Sequence, residues 1–392
     1  MSSILRSPRF SAVALLTAAV LGLVVANTAL GPGLERLLDR HLPLGAIGLD
    51  LSVAHWVSDG LLAVFFLLVA VELKQELLAG ELANPRTAVV PAIAAIGGVV
   101  VPAGIYLVVT SGTQYTHGWP IPTATDIAFA LGVLAVFGRG LPSSIRVFLL
   151  ALAVLDDLIA IVIIAVVFAH GTDFAALGGA VVVLALFAAL ARLLRPGRRG
   201  HGWVVAAMIA VGAVEWWLVY HSGVHATIAG VALGLVLPRR PGHTLYDRVE
   251  PWSNSIVLPV FAFVSAAVII PSVGIGELSP TFWAVVLALP VGKVVGITLF
   301  GTVAGRLFAH RSSSRLSFGS VVTVGVLGGI GFTVSLLMNE LAFAGDADVV
   351  DEGVLAVLVG SGIAMVASAV VVSLKARSYR ARRALSDAEA TE

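Results

Sequence analysis

The stretch Val147-Phe-Leu-Leu-Ala-Leu-Ala-Val-Leu-Asp156-Asp157-Leu-Ile-Ala-Ile-Val-Ile-Ile-Ala-Val-Val-Phe-Ala169 is apolar from end to end, except for two adjacent aspartates at its middle. A run of that length and composition reads as a membrane-spanning helix. An ionised carboxylate at the centre of a bilayer costs roughly 2.5–3.5 kcal/mol on insertion scales. A chain that keeps two side by side at that depth uses them. Their natural use is to hold a small cation, or protons of equal charge, halfway across a membrane.

The rest of the chain agrees. Of its 392 residues 58% are hydrophobic and only 12% charged, with a mean hydropathy of +1.01. Soluble domains run near 25% charged, so the fold class is an all-α polytopic membrane protein. The absence of cysteine excludes disulfides and thiol chemistry. A net charge of +1 argues against a nucleic-acid partner. Hydropathy windows place twelve spans near 10–30, 56–79, 87–110, 118–138, 144–170, 174–194, 202–221, 222–237, 252–270, 281–305, 317–344 and 352–375. The seventh and eighth nearly fuse at His221-Ser222-Gly223, which leaves eleven or thirteen open.

All but three of the 24 Lys and Arg residues fall at alternate span ends. The three are Arg36 and Arg40 on the opposite side, and Lys293 inside a span. By the positive-inside rule both termini are cytoplasmic. The first span is too long for a signal peptide and lacks an A-x-A site, so it is expected to stay. Residues 1–385 read as one integral membrane domain and 386–392 as a disordered cytoplasmic tail.

Three further features share the depth of the aspartate pair. Lys293 sits near the centre of the tenth span, and Gly328, Gly329 and Gly331 near the centre of the eleventh. The fourth span opens Trp119-Pro-Ile-Pro122-Thr-Ala-Thr125-Asp126. Two prolines spaced by one residue remove amide donors and hold Ile121 out of the α region, so an unwound segment is expected just before Asp126. Such backbone is tolerated at that depth only where it is buried in protein or lines an aqueous cavity. The glycine run reads either as a close-packing surface or as a second broken helix, and Gly97-Gly98 as close packing. Lys293 reads as a structural ion pair with an aspartate or as a cation exchanged during function, and the two are compatible. Adjacent helical residues point about 100° apart, so one aspartate faces the ion path while the other pairs across an interface. Hard oxygen ligands suit an alkali cation competing with protons, and no His/Cys cluster suggests a transition metal. No cofactor is expected.

Several motifs together resemble the NhaA-type Na⁺/H⁺ antiporters. They are Thr123-Ala-Thr-Asp-Ile-Ala-Phe-Ala-Leu-Gly132, Ala153-Val-Leu-Asp-Asp-Leu-Ile-Ala-Ile161, Ser222-Gly-Val-His-Ala-Thr-Ile-Ala-Gly230 and Gly328-Gly-Ile-Gly-Phe-Thr-Val-Ser335. Phe65-Phe-Leu-Leu-Val-Ala-Val-Glu-Leu-Lys-Gln-Glu76 and Gly292-Lys-Val-Val-Gly-Ile297 agree. The resemblance implies a twelve-helix protein of the bacterial inner membrane, not an enzyme, that exports Na⁺ or Li⁺ for protons. It also implies an inverted repeat of spans 3–5 and 10–12, with interrupted helices four and eleven. Two protons per cation would make the exchange electrogenic and serve sodium and pH homeostasis. Asp157 would be the principal cation ligand, Asp156 would assist or pair with Lys293, and Thr125 would add a hydroxyl. Asp126 would compensate the facing helix ends, with Pro122, Gly328, Gly329 and Gly331 forming the broken backbone.

The family is activated by alkaline pH, and Glu72 and Glu76 match its sensor motif; they also read as a solvated helix end with Lys74 between them. His225 reads as structural or as part of the pH response. The segment Tyr246-Asp-Arg-Val-Glu250-Pro-Trp departs from the family, which has a histidine where Glu250 stands. Glu215, inside the seventh span, has no family counterpart. Residues 31–55 form a long exterior loop in which Ile47, Leu49, Leu51 and Val53 alternate as in a strand. The resemblance implies a β-hairpin there that pairs two protomers, hence a homodimer surrounded by lipid.

Other classes fit less well. An intramembrane aspartyl protease carries its aspartates on separate helices. A Na⁺-coupled solute symporter of related fold needs an added polar pocket, and a passive channel ignores pH.

Overall fold

The computed structural model describes residues 7–42, 48–169, 171–194, 201–270, 275–308 and 316–389. Of the basic residues that set the topology, Arg6, Arg195, Arg198, Arg199, Arg311 and Arg315 lie outside these. The described chain is helical almost throughout. Its elements are α1 (Pro8–Ala26), α2 (Gly31–Leu38), α3 (Val53–Ala79), α4 (Pro85–Val109), α5 (Ile127–Phe137), α6 (Ser143–Val167) and α7 (Phe174–Leu193). They continue with α8 (His201–His221), α9 (Thr227–Val236), α10 (Arg239–Trp252), α11 (Leu258–Ser265), α12 (Pro280–Phe308), α13 (Phe318–Gly328), α14 (Phe332–Ala342) and α15 (Ala347–Glu389).

Eight of these are long and apolar enough to cross a bilayer, or ten when each bent pair counts as one span. The chain is a multi-pass membrane protein. Of the twelve spans read from the sequence, the other two fall on α9, only 10 residues long, and on α11, which continues from α10 through a π turn at Ser253–Val257. The last helix carries the backbone to Glu389, past Ser386 where a disordered tail was expected to begin. Residues 390–392 lie outside the described part.

The loop after α1 also differs from expectation. Its first half is α2, and among the described residues the only pairing near it is a single antiparallel bridge, His41 to Ser52. Leu42 N–H donates to Leu51 O and Val53 N–H to Arg40 O. Val53 then starts α3, capped by the Ser52 hydroxyl, so the alternating pattern ends in a helix rather than a strand. Residues 43–47, the rest of the expected hairpin with Ile47, lie outside the described part.

Small residues set how the helices meet. Gly97 and Gly98 of α4 lie against Gly296, Ile297 and Phe300 of α12, where a Cβ on Gly97 would overlap the Gly296 carbonyl, so the close-packing reading holds. On the other side of the bundle, Gly230 and Gly234 of α9 sit directly on the backbone carbonyls of Ala63 and Leu67 in α3. Lys74 of α3 completes that pair by donating to Leu235 O and Leu237 O at 2.6 and 2.7 Å, satisfying the open carbonyls where α9 ends. Helix α6 runs through the middle: 67% of its apolar window is buried, against 17% for α7 and for α8. The outward side chains of those two, among them Phe174, Val182, Trp203 and Ile209, form an apolar surface suited to lipid.

Candidate cation-binding site

Helix α6 carries Asp156 and Asp157 at the centre of the bundle, with relative exposures of 2% and 6%. Their side chains diverge as the helical rotation demands. Asp156 turns toward α12, where its Oδ2 accepts from Lys293 Nζ at 2.7 Å, both side chains wholly buried. Its Oδ1 is buried with no hydrogen bond of good geometry and has Thr125 as a neighbour. Lys293 follows a π turn at Ala288–Gly292 that brings Gly292 onto Pro102 and so lets α12 press close to α4. The sequence reading of an aspartate–lysine pair is met by Asp156.

Asp157 turns the other way, into a cavity of about 100 Å³ whose walls include Thr125, Asp126, Thr333, Glu72, Tyr246 and Glu250. A space of that size holds several waters or a partly hydrated ion. Asp157 takes part in none of the salt bridges found among the described residues. A buried carboxylate beside a cavity with further oxygen-bearing side chains, its neighbour's charge already balanced by lysine, is open to bind a proton or a small cation.

Two interrupted helices meet beside it. The 3₁₀ turns Gln114–Thr123 and α5 form one pair, bent by 43°, and α13 and α14 the other, bent by 49°. The first break falls at residues 124–126, where the unwound segment before Asp126 was expected, although Ile121 itself is helical. Ile121–Thr123 close a 3₁₀ turn in which Pro120 and Pro122 occupy starting positions that need no amide. The Thr123 hydroxyl holds that turn by donating to Pro120 O at 2.6 Å. The second break falls at Gly329-Ile330-Gly331, where a Cβ on Gly331 would overlap the Ser335 hydroxyl. Phe332, which restarts the helix, has a φ of 25° and is the only described residue other than glycine with positive φ. The Ser361 hydroxyl accepts from its N–H at 3.1 Å and its ring meets Phe129 edge-on at 4.8 Å, so the strained residue is held by its surroundings.

Asp126 joins the two breaks. Its Oδ1 accepts from Phe129 N–H at 3.1 Å and caps α5. Its Oδ2 accepts from Thr333 N–H at 3.2 Å and from the Thr333 hydroxyl at 2.6 Å, at the start of α14. Its own N–H donates to Ile330 O at 2.6 Å. One carboxylate thus compensates the positive ends of two helices. Thr125 treats the opposite polarity: its hydroxyl donates to Gly328 O at 2.8 Å, an open carbonyl where α13 ends.

At the edge of the cavity the Tyr246 hydroxyl donates to Glu72 Oε2 at 3.2 Å, and Asn254 Nδ2 donates to Glu250 Oε1 at 2.6 Å. Burial, then the carboxylates of Glu72 and Glu250, push the Tyr246 phenol far above its ordinary range, so it remains a donor. Lys74, between Glu72 and Glu76 in sequence, reaches the end of α9.

The structure therefore gathers Asp157, Asp126, Thr125 and Glu72 around one cavity, with Asp156 and Lys293 behind it and Gly328, Gly329 and Gly331 at the crossing. Glu76 does not line the cavity, and His225 is bonded elsewhere, to Asp59 and Thr227. Glu215 is buried in α8, away from the cavity, and its Oε2 has no hydrogen bond. Sequence reasoning missed Thr333 and Asn254. Thr333 stood inside a quoted motif, and its position just past the glycine break was the available signal; Asn254 offered none.

The chain matches the family model described as "Na+/H+ antiporter 1" over residues 2–372. It is 60% identical over 386 residues to the Na(+)/H(+) antiporter NhaA 2 of Clavibacter michiganensis subsp. michiganensis, covering 98% of this chain and 94% of that one. It is 47% identical to the Na(+)/H(+) antiporter NhaA of Streptomyces antibioticus, covering 96% and 79%. With the Na(+)/H(+) antiporter NhaA of Tropheryma whipplei the identity is 44%, covering 98% and 97%. The chain belongs to the NhaA-type Na⁺/H⁺ antiporter family.

Proposed function

We propose that this protein exports Na⁺ or Li⁺ across the bacterial cytoplasmic membrane in exchange for protons, two per cation. One observation carries the reading: of two adjacent buried aspartates, Asp156 is neutralised by Lys293 while Asp157 faces a cavity, shared with other acidic and hydroxyl side chains, without a cationic partner. A carboxylate so placed binds a proton or an alkali cation, but not both. Competition for it couples their movements in opposite directions. Asp126 and Thr125 hold the broken backbone around it in shape, and Thr125 borders the ion. Two positive charges in for one out makes the exchange electrogenic, driven in part by membrane potential.

Both termini and the cavity edge with Glu72, Tyr246 and Glu250 face the cytoplasm in this reading, following the basic residues. Glu72, with Glu76 and His225 as further candidates, supplies the activation by alkaline pH. Residues 31–55 supply the contact of a homodimer in the lipid bilayer. The transported ions are the only small-molecule partners proposed.

The test uses inside-out vesicles from an antiporter-deficient host, energised to an acid interior and followed with a pH-gradient dye. Added Na⁺ or Li⁺ at alkaline pH collapses the gradient with the native chain and not with Asp157→Asn. An inserted, intact native chain that leaves the gradient untouched from about pH 6 to 9 would overturn the reading. Na⁺-dependent uptake of a labelled solute would then favour the symporter.

A further inference from the structure

Arginines from three separate parts of the chain gather around one point of the bundle, the C-terminus of α5. Arg9, at the start of α1, donates from Nε and Nη2 to Ala135 O at 3.1 and 2.5 Å. Arg139 stands exposed in the loop that follows α5. Gly140 in the same loop has a φ of 95°, and a Cβ on it would meet the stem of Arg380, so α15 lies directly against the loop. Arg377, one turn earlier on α15, is exposed as well. Helix α5 itself packs between α1 and α15, with Gly132 seated on Ala12 of α1.

Part of this charge answers a local need. A helix ends in open carbonyls and the negative end of its dipole, and both attract cations. Arg9 meets that need at Ala135 O and keeps further N–H donors of its guanidinium for another partner. None of Arg9, Arg139, Arg377 and Arg380 is bridged to a carboxylate among the described residues. Positive charge gathered in one place without acids fits an anion supplied from outside the chain.

What lies beside the arginines says which anion. Arg9 heads a row of its helical neighbours Val13, Leu16 and Val20 on α1, all exposed. Arg377 heads a matching exposed row of Leu374, Val370 and Val366 on α15. Both rows run along helices long and apolar enough to cross a bilayer. The arginines therefore stand where those helices leave the hydrocarbon for the headgroups, and basic pockets between helices at that level suit anionic lipids. A free phosphate would use the guanidinium groups alone, whereas a phospholipid uses the apolar rows too. We propose that Arg9, Arg139 and Arg380 hold the phosphate of an anionic phospholipid at the end of α5, with an acyl chain along the α1 row. Guanidinium groups serve this purpose well, because their paired donors match phosphate oxygens. The lipid then touches the first broken helix directly, and its binding does not depend on the antiport reading.

The test takes the purified full-length chain in a neutral detergent and titrates it with phosphatidylglycerol or phosphatidylcholine, counting bound lipid by native mass spectrometry. Phosphatidylglycerol binds the native chain in preference to phosphatidylcholine. Arg139→Gln weakens the tightest phosphatidylglycerol by about fivefold, and Arg139→Gln with Arg380→Gln by about 25-fold, the contribution expected of one and two arginines near an anionic headgroup. Arg139 is an exposed loop residue, so the single variant keeps its fold. Arg239→Gln with Arg240→Gln removes as much charge from α10 and leaves the tightest lipid in place. Equal binding of the two lipids would overturn the proposal, as would native-like binding in both Arg139 variants. So would an equal loss in the α10 variant, which would reduce the arginines to general surface charge. Excess glycerol 3-phosphate leaves the lipid bound; release by it would show that phosphate alone fills the site and would overturn the lipid.

Discussion

The two broken helices bend by similar angles, 43° and 49°, yet they bring opposite things to the crossing. The first break supplies side chains: Thr125 and Asp126 stand in its extended segment and reach across. The second, Gly329-Ile330-Gly331, supplies mostly backbone: the carbonyls of Gly328 and Ile330 and the N–H of Thr333, with the Thr333 hydroxyl as its side-chain donor. One half of the crossing carries the chemistry and the other is what that chemistry satisfies. Prolines can interrupt a helix and still leave room for polar side chains beside them. Glycines interrupt it by letting a neighbour come close, which forbids side chains of their own. The asymmetry explains why a single carboxylate can serve two helix ends.

Breaking the comparison at its centre has the largest effect. Asp126→Ala orphans the capped donors of α5 and α14 together, each worth about 1–3 kcal/mol when buried unsatisfied. Exchange falls to background and the protein loses its sharp melting transition in detergent; a native-like melt would refute the shared cap. Lys293→Met comes next, since it leaves Asp156 buried and unpaired at a cost of about 3–5 kcal/mol. Adding Asp156→Asn recovers most of the lost melting temperature, and failure of that rescue would show that Lys293 serves more than its partner. Thr125→Val is milder, at about 1–2 kcal/mol for the open Gly328 carbonyl, while Thr125→Ser stays within about 0.5 kcal/mol of native. If valine and serine melt alike, the hydroxyl is not what closes α13.

The smallest effect lies at the cavity edge. The raised Tyr246 phenol stays protonated through the working range, so the native chain keeps its donor to Glu72 at every assay pH. Tyr246→Phe removes that donor, and a carboxylate without one holds its proton to higher pH. The cytoplasmic midpoint for exchange in inside-out vesicles then moves alkaline by about a few tenths of a unit. An acid shift would place Tyr246 in a different role.

Much of this site is legible in the sequence, because charge in an apolar span has so few explanations. Asp156, Asp157, Lys293 and Asp126 all announce themselves that way, and the glycine density marks the second break. The 100° rule separates the roles of the two adjacent aspartates, although only packing decides which one meets Lys293. What the sequence hides depends on partners. Thr333 is an ordinary threonine until Asp126 arrives from another helix, and Lys74 resembles a neighbour of Glu72 and Glu76 until α9 ends beside it. The alternation in residues 47–53 reads as a strand, and Leu51 and Ser52 do pair antiparallel with Leu42 and His41, but periodicity is blind to the Ser52 cap that starts α3.

The seating of α9 on α3 has a mechanical side. Gly230 and Gly234 rest on the α3 backbone, and Lys74 clamps the far end of α9, so the two helices form a stiff composite beam rather than two rods free to slide. Asp59 lies near one end of that beam and Glu72 lies more than three turns along it. A tilt of α3 at either mouth would carry α9 with it.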